Sequence, residues 1–204
     1  MLKRLVLYTL LLFLLVACSN REAEENNTIA TANLSEREKT LLHATASNIL
    51  FIYNVSLKSR GILNVWVEKY EYGELVQEHI SSVEAAVSET GQIVVALIGV
   101  PQTKQTIVRV AVINDTGYEA NEGVITLPDI GAFGYGTLIS SEGTTLNKDM
   151  AIGQLIYSGE SNFFKTSQDN VGNNPVAIIK KLKDQPEVYL IRSAFRQEAT
   201  APHD

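Results

Sequence analysis

Short runs rich in β-branched and aromatic residues recur along most of this chain, and turn-forming residues separate them. Val, Ile, Tyr and Phe favour strands, whereas Gly, Asn, Asp and Pro mark turns. Many short strands at roughly regular spacing, with little helix, predict a mainly β fold: an antiparallel β-sandwich or a partly open barrel. The predicted strands are residues 49–57, 62–72, 75–81, 92–100, 106–113, 123–127, 136–140, 152–158, 176–182 and 188–195.

Three local patterns refine this prediction. Ser35, followed three residues later by Glu38, forms a capping-box signature and predicts one short N-terminal helix over residues 35–46. Residues 92–100 are nearly all apolar, which is typical of a central strand covered on both faces. The last two runs are expected to form a closing hairpin across a turn at residues 183–186.

The start of the chain carries an export signal. Lys3 and Arg4 precede an uncharged apolar run over residues 5–17, and the run ends directly before Cys18. The thirteen residues of this run would cover about 20 Å as a helix, short of the roughly 30 Å hydrocarbon core, so a membrane-spanning anchor is the poorer interpretation. The segment Leu15-Val16-Ala17-Cys18 resembles the signal of bacterial lipoproteins. An ordinary secretory signal with a chance cysteine remains the alternative.

That resemblance implies a domain organisation and a location. Residues 1–17 would be removed, and Cys18 would carry a diacylglyceryl group as the first residue of the mature protein. Residues 18–33 then hold the lipidated cysteine and a polar tether, and residues 34–204 form a single β-rich domain. The expected location is the extracytoplasmic face of the cell membrane, to which the lipid anchor attaches the protein.

The net charge and the cysteine content of the chain exclude some classes of partner and some kinds of site. The full chain has a net charge of −6, and loss of Lys3 and Arg4 with the signal leaves 15 Lys and Arg against 23 Asp and Glu, a net charge of −8. Such an acidic domain is a poor partner for DNA or any other nucleic acid. Cys18 is the only cysteine, so the chain has no intramolecular disulfide and no other thiol for a metal or a nucleophile.

One face of the second predicted strand is the candidate binding face. Side chains alternate across a strand, so Leu63, Val65 and Val67 point to the expected core. The other face carries an aromatic platform with one carboxylate, suited to a sugar ring or a peptide. The alternative is a structural role for this face, in which the same aromatic residues pair with Gln77 and His79 across the hairpin or lie under a helix. The platform residues are Trp66, Glu68, Tyr70 and Tyr72.

Motifs for catalysis and metal binding are missing from the sequence. His43, His79 and His203 have no ligand spacing, and neither a nucleophile elbow nor a phosphate loop occurs, so we predict no metal site, no cofactor and no enzymatic activity. The 23 acidic residues allow many carboxylate pairs of the kind that glycosidases use, and Glu68, beside Trp66 and Tyr70, is the best candidate among them. Phe133 and Tyr135, in a glycine-rich connection, are candidates to line a groove.

A second, looser resemblance concerns the domain itself. Residues 66–76 and 188–191 carry a similarity to small uncharacterised lipoproteins of Gram-positive bacteria, spread over residues 62–195. It implies no activity. The sequence therefore predicts a lipid-anchored, non-catalytic interaction module that binds a protein or cell-wall partner at the envelope. An envelope-acting hydrolase and a solute-capturing protein of a transporter are the alternatives.

Overall fold

The computed structural model describes residues 26–45, 49–128, 132–146, 149–158 and 172–198. The predicted signal, Cys18 and the first part of the tether lie outside these residues. Within them, no helix has the length and apolar character that crossing a membrane requires.

Eleven strands and two helices make up the described chain. In chain order they are β1 (Thr28–Thr31), α1 (Glu36–Thr45), β2 (Ile49–Ser56), β3 (Gly61–Glu71), β4 (Glu74–Val87), β5 (Thr90–Gly99), β6 (Gln105–Asn114), β7 (Gly117–Thr126), β8 (Ala132–Thr137), β9 (Thr144–Thr145), β10 (Met150–Ser158), α2 (Pro175–Lys181) and β11 (Glu187–Gln197).

The strands form two antiparallel sheets. Sheet A has the order β7-β6-β5-β2-β1-β9, and sheet B has the order β4-β3-β11-β10-β8. Every pair within them is antiparallel. The predicted mainly β class and sandwich are thereby confirmed, and the barrel alternative is not the one adopted.

The core lies between the inner faces of the two sheets. Leu63, Val65 and Val67 of β3 belong to it, as their alternation predicts. They meet inward residues of sheet A such as Val95 and Val110. Because each strand buries every second side chain, the period-two pattern of the sequence is what builds this layer.

Two close approaches join the sheets at opposite sides. At one seam, β4 crosses β7 so tightly that a Cβ at Gly123 would lie 1.8 Å from the carbonyl oxygen of Ile80. Asn121 Nδ2 donates to the carbonyl of Ser82 there, at 3.1 Å. At the other side, the Thr31 amide donates to the carbonyl of Ser140 at 3.3 Å, which links β1 to the end of β8.

The sequence predicted helix α1 but not helix α2. Helix α1 begins directly after Ser35, whose amide donates to Glu38 Oε2 at 2.7 Å, so the capping-box prediction is confirmed. Helix α2 replaces a strand that we predicted over residues 176–182, so the closing hairpin is wrong. Asn174 caps α2 by accepting from the Ala177 amide at 3.2 Å, and Pro175 occupies its first turn.

Packing explains why this short apolar run is helical. Helical spacing puts Ile178 and Leu182 on one side of α2, where they join Val188 and Leu190 of β11 in a second hydrophobic cluster. The helix therefore covers part of the outer face of sheet B. A strand here would instead divide these apolar side chains between two faces.

Candidate binding site on the outer face of sheet B

The predicted binding face is present in β3, but most of it is buried. Trp66 is 9% exposed and Glu68 5%, whereas Tyr72 at the hairpin tip is 67% exposed. Tyr70 is partly buried against the cluster under α2. Trp66 also packs beside His79, with ring centroids 6.1 Å apart, which is the cross-hairpin contact of the structural alternative. Trp66 and Glu68 are thus not part of an exposed platform.

Alternation along β3 gives Glu68 its position. Trp66, Glu68 and Tyr70 are spaced two residues apart and share the outer face of the strand. The pairing of β3 with β4 shifts register beside Glu68, between Val67 and Lys69, where β4 holds the extra residues. Donors on its own strand and on β11, the next strand of the sheet, hold the Glu68 side chain.

Three donors occupy the Glu68 carboxylate. Trp66 Nε1 donates to Oε1 at 2.8 Å, and the Tyr70 hydroxyl donates to Oε2 at 2.7 Å. Arg192 Nη1 donates to the same Oε2 at 2.6 Å. A buried carboxylate needs this degree of compensation, because its desolvation is costly without a partner. Glu68 therefore organises the face through its hydrogen bonds and presents no free oxygen to a ligand.

Arg192 extends the network towards the surface. Its Nη2 donates to Asp149 Oδ2 at 2.6 Å and its Nε to Oδ1 at 3.2 Å, while the guanidinium carbon lies 5.3 Å from the centre of the Trp66 ring. Burial acts to lower the pKa of Arg192, but its bonds to Asp149 and the charge of Glu68 raise it overall. One cation between two carboxylates leaves this cluster with a net charge of −1.

Tyr70 is the neutral member of the network. Burial, and then its hydrogen bond to the Glu68 carboxylate, raise the pKa of Tyr70 well above its ordinary value. The hydroxyl consequently keeps its proton and acts as a donor at neutral pH.

A cavity of about 540 Å³ opens beside this network, between sheet B and α2. Tyr70, Asp149 and Arg192 form its polar wall, and Val176 and Ile179 of α2 its apolar wall. Its volume is in the range of small-molecule and side-chain pockets. The charges of Asp149 and Arg192 in the wall cancel, and the buried Glu68 behind them gives the network its net charge of −1, so the arrangement suits a neutral or cationic group.

Sequence reasoning missed Arg192, Asp149 and the α2 wall. A signal for Arg192 does exist: it is a single charge inside the apolar run at residues 188–195, and a charge in a buried strand requires a partner. Asp149 carries no comparable signal, since an aspartate in a connecting segment is ordinary.

Phe133 and Tyr135 lie elsewhere, on the edge strand β8. Both are about half exposed and their rings stack at 6.3 Å. Tyr135 also meets Phe51 of sheet A edge-on at 6.0 Å, where a smaller cavity of about 220 Å³ opens. Tyr135 therefore lines this cleft, whereas Phe133 is not among its lining residues and stacks on Tyr157, with ring centroids 5.8 Å apart.

A second polar cluster lies at the end of sheet B, where Glu187 is buried and Glu71 is exposed. Lys69 pairs with Glu71 at 2.8 Å and with Glu187 at 3.1 Å, and the Tyr189 hydroxyl donates to Glu187. Burial, and then the Glu187 charge, raise the pKa of Tyr157 to about 12. Each charged group of this cluster has a partner, so the cluster is a structural one.

Among the described residues, no group of three or more His, Cys, Asp and Glu side chains is arranged to hold a metal ion. His79 packs on Trp66, and the side chains of His43 and His203 are outside the part of the chain that the structure describes.

Comparison with known families gives one match. A family model for the YgaN domain matches residues 28–195, from the first residue of β1 to the last part of β11. No curated protein and no solved structure matches the chain. The matched segment coincides with the β-sandwich.

Proposed function

The chain belongs to the YgaN domain family, and we propose that this member is a lipid-anchored envelope protein whose β-sandwich binds a partner without catalysing a reaction. The Leu15-Val16-Ala17-Cys18 signal supports the anchor and the extracytoplasmic location. The partner is a protein or a cell-wall component that meets the outer face of sheet B.

The cavity beside Tyr70 is the observation that carries this proposal. Its polar wall is fixed in place by the buried Glu68 and Arg192 pair, and its apolar wall is the exposed edge of α2. Such a wall is preorganised, so a ligand need not pay the entropy of ordering it. Val176, which is 77% exposed at the rim, is the apolar side chain that an incoming partner would meet first.

The occupied state of Glu68 favours binding over hydrolysis. A general acid or base must reach the reacting group within hydrogen-bond distance. Both oxygens of Glu68 are already bonded to protein donors, so a sugar bond has no access to them. Glu68, the best candidate for a glycosidase carboxylate in the sequence, thus serves to hold sheet B together through these hydrogen bonds.

Site-specific photocrosslinking in intact cells tests the binding role. A photoreactive residue at Val176 is expected to yield a discrete adduct, whereas the same residue at Val76, half exposed on β4, serves as the matched control and is expected to yield none. Equal adducts at both positions, or none at Val176, would contradict the proposed site. Release of fragments from cell-wall polymer that depends on Glu68 would contradict the non-catalytic role.

The anchor is tested separately through Cys18. The Cys18→Ala variant is expected to lose incorporation of labelled fatty acid and to remain unprocessed or to be released from the membrane. Normal processing together with unchanged membrane attachment would refute the lipid anchor. This outcome is independent of the crosslinking result, so the two parts of the proposal fail separately.

A further inference from the structure

The outer face of sheet A is an ordered surface that the site on sheet B does not use. Directly opposite residues of neighbouring strands share a face, and the pairing aligns Asn54, Gln92, Ile113 and Tyr118 in one row across β2, β5, β6 and β7. Strand β2 contributes four outward side chains to the face, and β5, β6 and β7 contribute five each. The result is a regular grid of side chains.

Most of this grid is apolar. Ile52, Val94, Ile98 and Ile107 are partly exposed on it, and Val124 and Ile113 are exposed. An apolar sheet face of this extent is unusual on a protein surface unless it is an interaction site. The nearly continuous apolar sequence of β5 also indicates an interaction site here, because such a sequence is typical of a strand covered on both faces.

The inner side of β5 packs in the core of the sandwich, whereas no apolar cluster of the described residues covers its outer side. The two clusters of buried apolar side chains in the described chain draw on the inner faces and on α2, and neither includes an outward residue of sheet A. On sheet B, by contrast, α2 covers the outer face. The prediction of a doubly covered strand is therefore met on one face only within the described residues.

Charge distinguishes this face from the rest of the molecule. Among its nineteen described positions, the charged side chains are Arg109 and Glu122, which lie opposite each other on β6 and β7, with Arg109 Nε donating to Glu122 Oε1 at 2.6 Å. They cancel, so the face is neutral in a protein whose net charge is −6. Two copies that repel each other elsewhere meet least electrostatic resistance here.

We infer that this face binds a second copy of the chain, in a symmetric dimer with the two A sheets packed face to face. With strands about 4.8 Å apart and rows about 6.8 Å apart, four strands and four rows project about 500 Å². Two copies then bury at least about 1,000 Å², the size at which specific interfaces begin. A two-fold axis places the same patch on both sides, as aligned sheet packing requires. This dimer is independent of the proposed ligand site.

Self-association of the full chain in cells tests the dimer. Two copies with different epitope tags are co-expressed and crosslinked in intact cells, and one tag is captured while the other is probed. The Val94→Asp variant puts two like charges into the apolar centre and is expected to lower the signal at least tenfold. Val76→Asp, the same substitution at an exposed position on sheet B, is expected to leave it unchanged.

Two further measurements keep the result interpretable. Thermal unfolding of each variant shows whether Val94→Asp still folds, and Ile107→Asp repeats the test on β6 in case it does not. Retained self-association in a folded Val94→Asp variant overturns the inference. A wild-type chain that shows no crosslinked self-association also overturns the inference. The same holds if the wild-type chain binds lipid vesicles through this face and does not self-associate.

Discussion

Arg192 Nη1 donates to Glu68 Oε2 at 2.6 Å, between two adjacent strands whose residues stand 124 positions apart in the chain. Both side chains are nearly inaccessible to solvent. This pair joins the closing strand to the strand that carries the predicted binding face. Breaking it is therefore expected to affect the stability of the whole of sheet B.

Arg192→Met is expected to lower the free energy of unfolding by about 3–5 kcal/mol, because it leaves the Glu68 charge buried without its cation. Urea unfolding measures the change. Arg196→Met is the matched control, because Arg196 is 76% exposed and its Nη2 lies 3.9 Å from Glu84 Oε1. Its free energy of unfolding is expected to change by no more than about 0.5 kcal/mol. Similar losses in both variants would show that the pair contributes no more than surface charge.

Ser193→Ala is expected to leave stability unchanged or to raise it by about 1 kcal/mol. Within the described structure, the Ser193 hydroxyl is buried without a hydrogen-bond partner, and removing an unpaired polar group relieves its desolvation cost. Ser81→Ala is the contrast, because the Ser81 hydroxyl donates to the carbonyl of Asn121 at 2.9 Å. That variant should lose about 1 kcal/mol, and the opposite order would contradict the assignment.

Gly123→Ala is expected to destabilise the protein by about 3 kcal/mol, or to prevent folding, because the added Cβ would strike the Ile80 carbonyl where β4 crosses β7. Gly99→Ala at the end of β5 meets nothing within 4 Å and should be tolerated. Thermal unfolding of both variants makes the comparison. Equal tolerance would mean that the two strands separate at this seam without cost.

Alkaline pH is expected to unfold the protein through its buried tyrosines. Burial raises the pKa of Tyr157 from 10.0 to about 12 and raises the pKa of Tyr53, Tyr70 and Tyr189 further. The unfolded chain therefore releases these protons first, so their contribution to stability is complete below pH 10 and is lost as pH rises towards and beyond 12. Each adds a slope of up to about 1.4 kcal/mol per pH unit in that window.

Tyrosinate absorbance and circular dichroism, followed together, check this coupling. Tyr157→Phe should flatten the loss of stability between pH 10 and about 12. Complete tyrosine ionisation without loss of the native spectrum would contradict the burial of these side chains.

The candidate site shows how far local patterns reach. The strand at residues 62–72 and its core face were predicted from alternation, and β3 confirms both. Whether Trp66 faced solvent or packed against its neighbours was left open, because alternation assigns a side chain to a face and not to an exposure. The exposure of Trp66 depends on its contacts with His79 and Arg192, and Arg192 comes from β11, the last strand of the described chain.

Residues 176–182 show a different limit. A short run that is mostly apolar fits a strand or one side of a short helix, and periodicity does not separate them. Contacts of Ile178 and Leu182 with β11 decide for the helix. The helix cap at Asn174 was not predicted, because a polar residue before an apolar run also precedes strands.

The chain by itself determined the mainly β class, the capped helix α1 and the resemblance to a lipoprotein signal, because alternation, capping and signal patterns act between residues close in sequence. Tertiary structure decided that Glu68 is buried and bonded to three donors, that a cavity lies beside Tyr70, and that no apolar cluster of the described residues covers the outer face of β5. These properties depend on desolvation and charge pairing between strands distant in sequence, and such energies exist only once the sheets have packed.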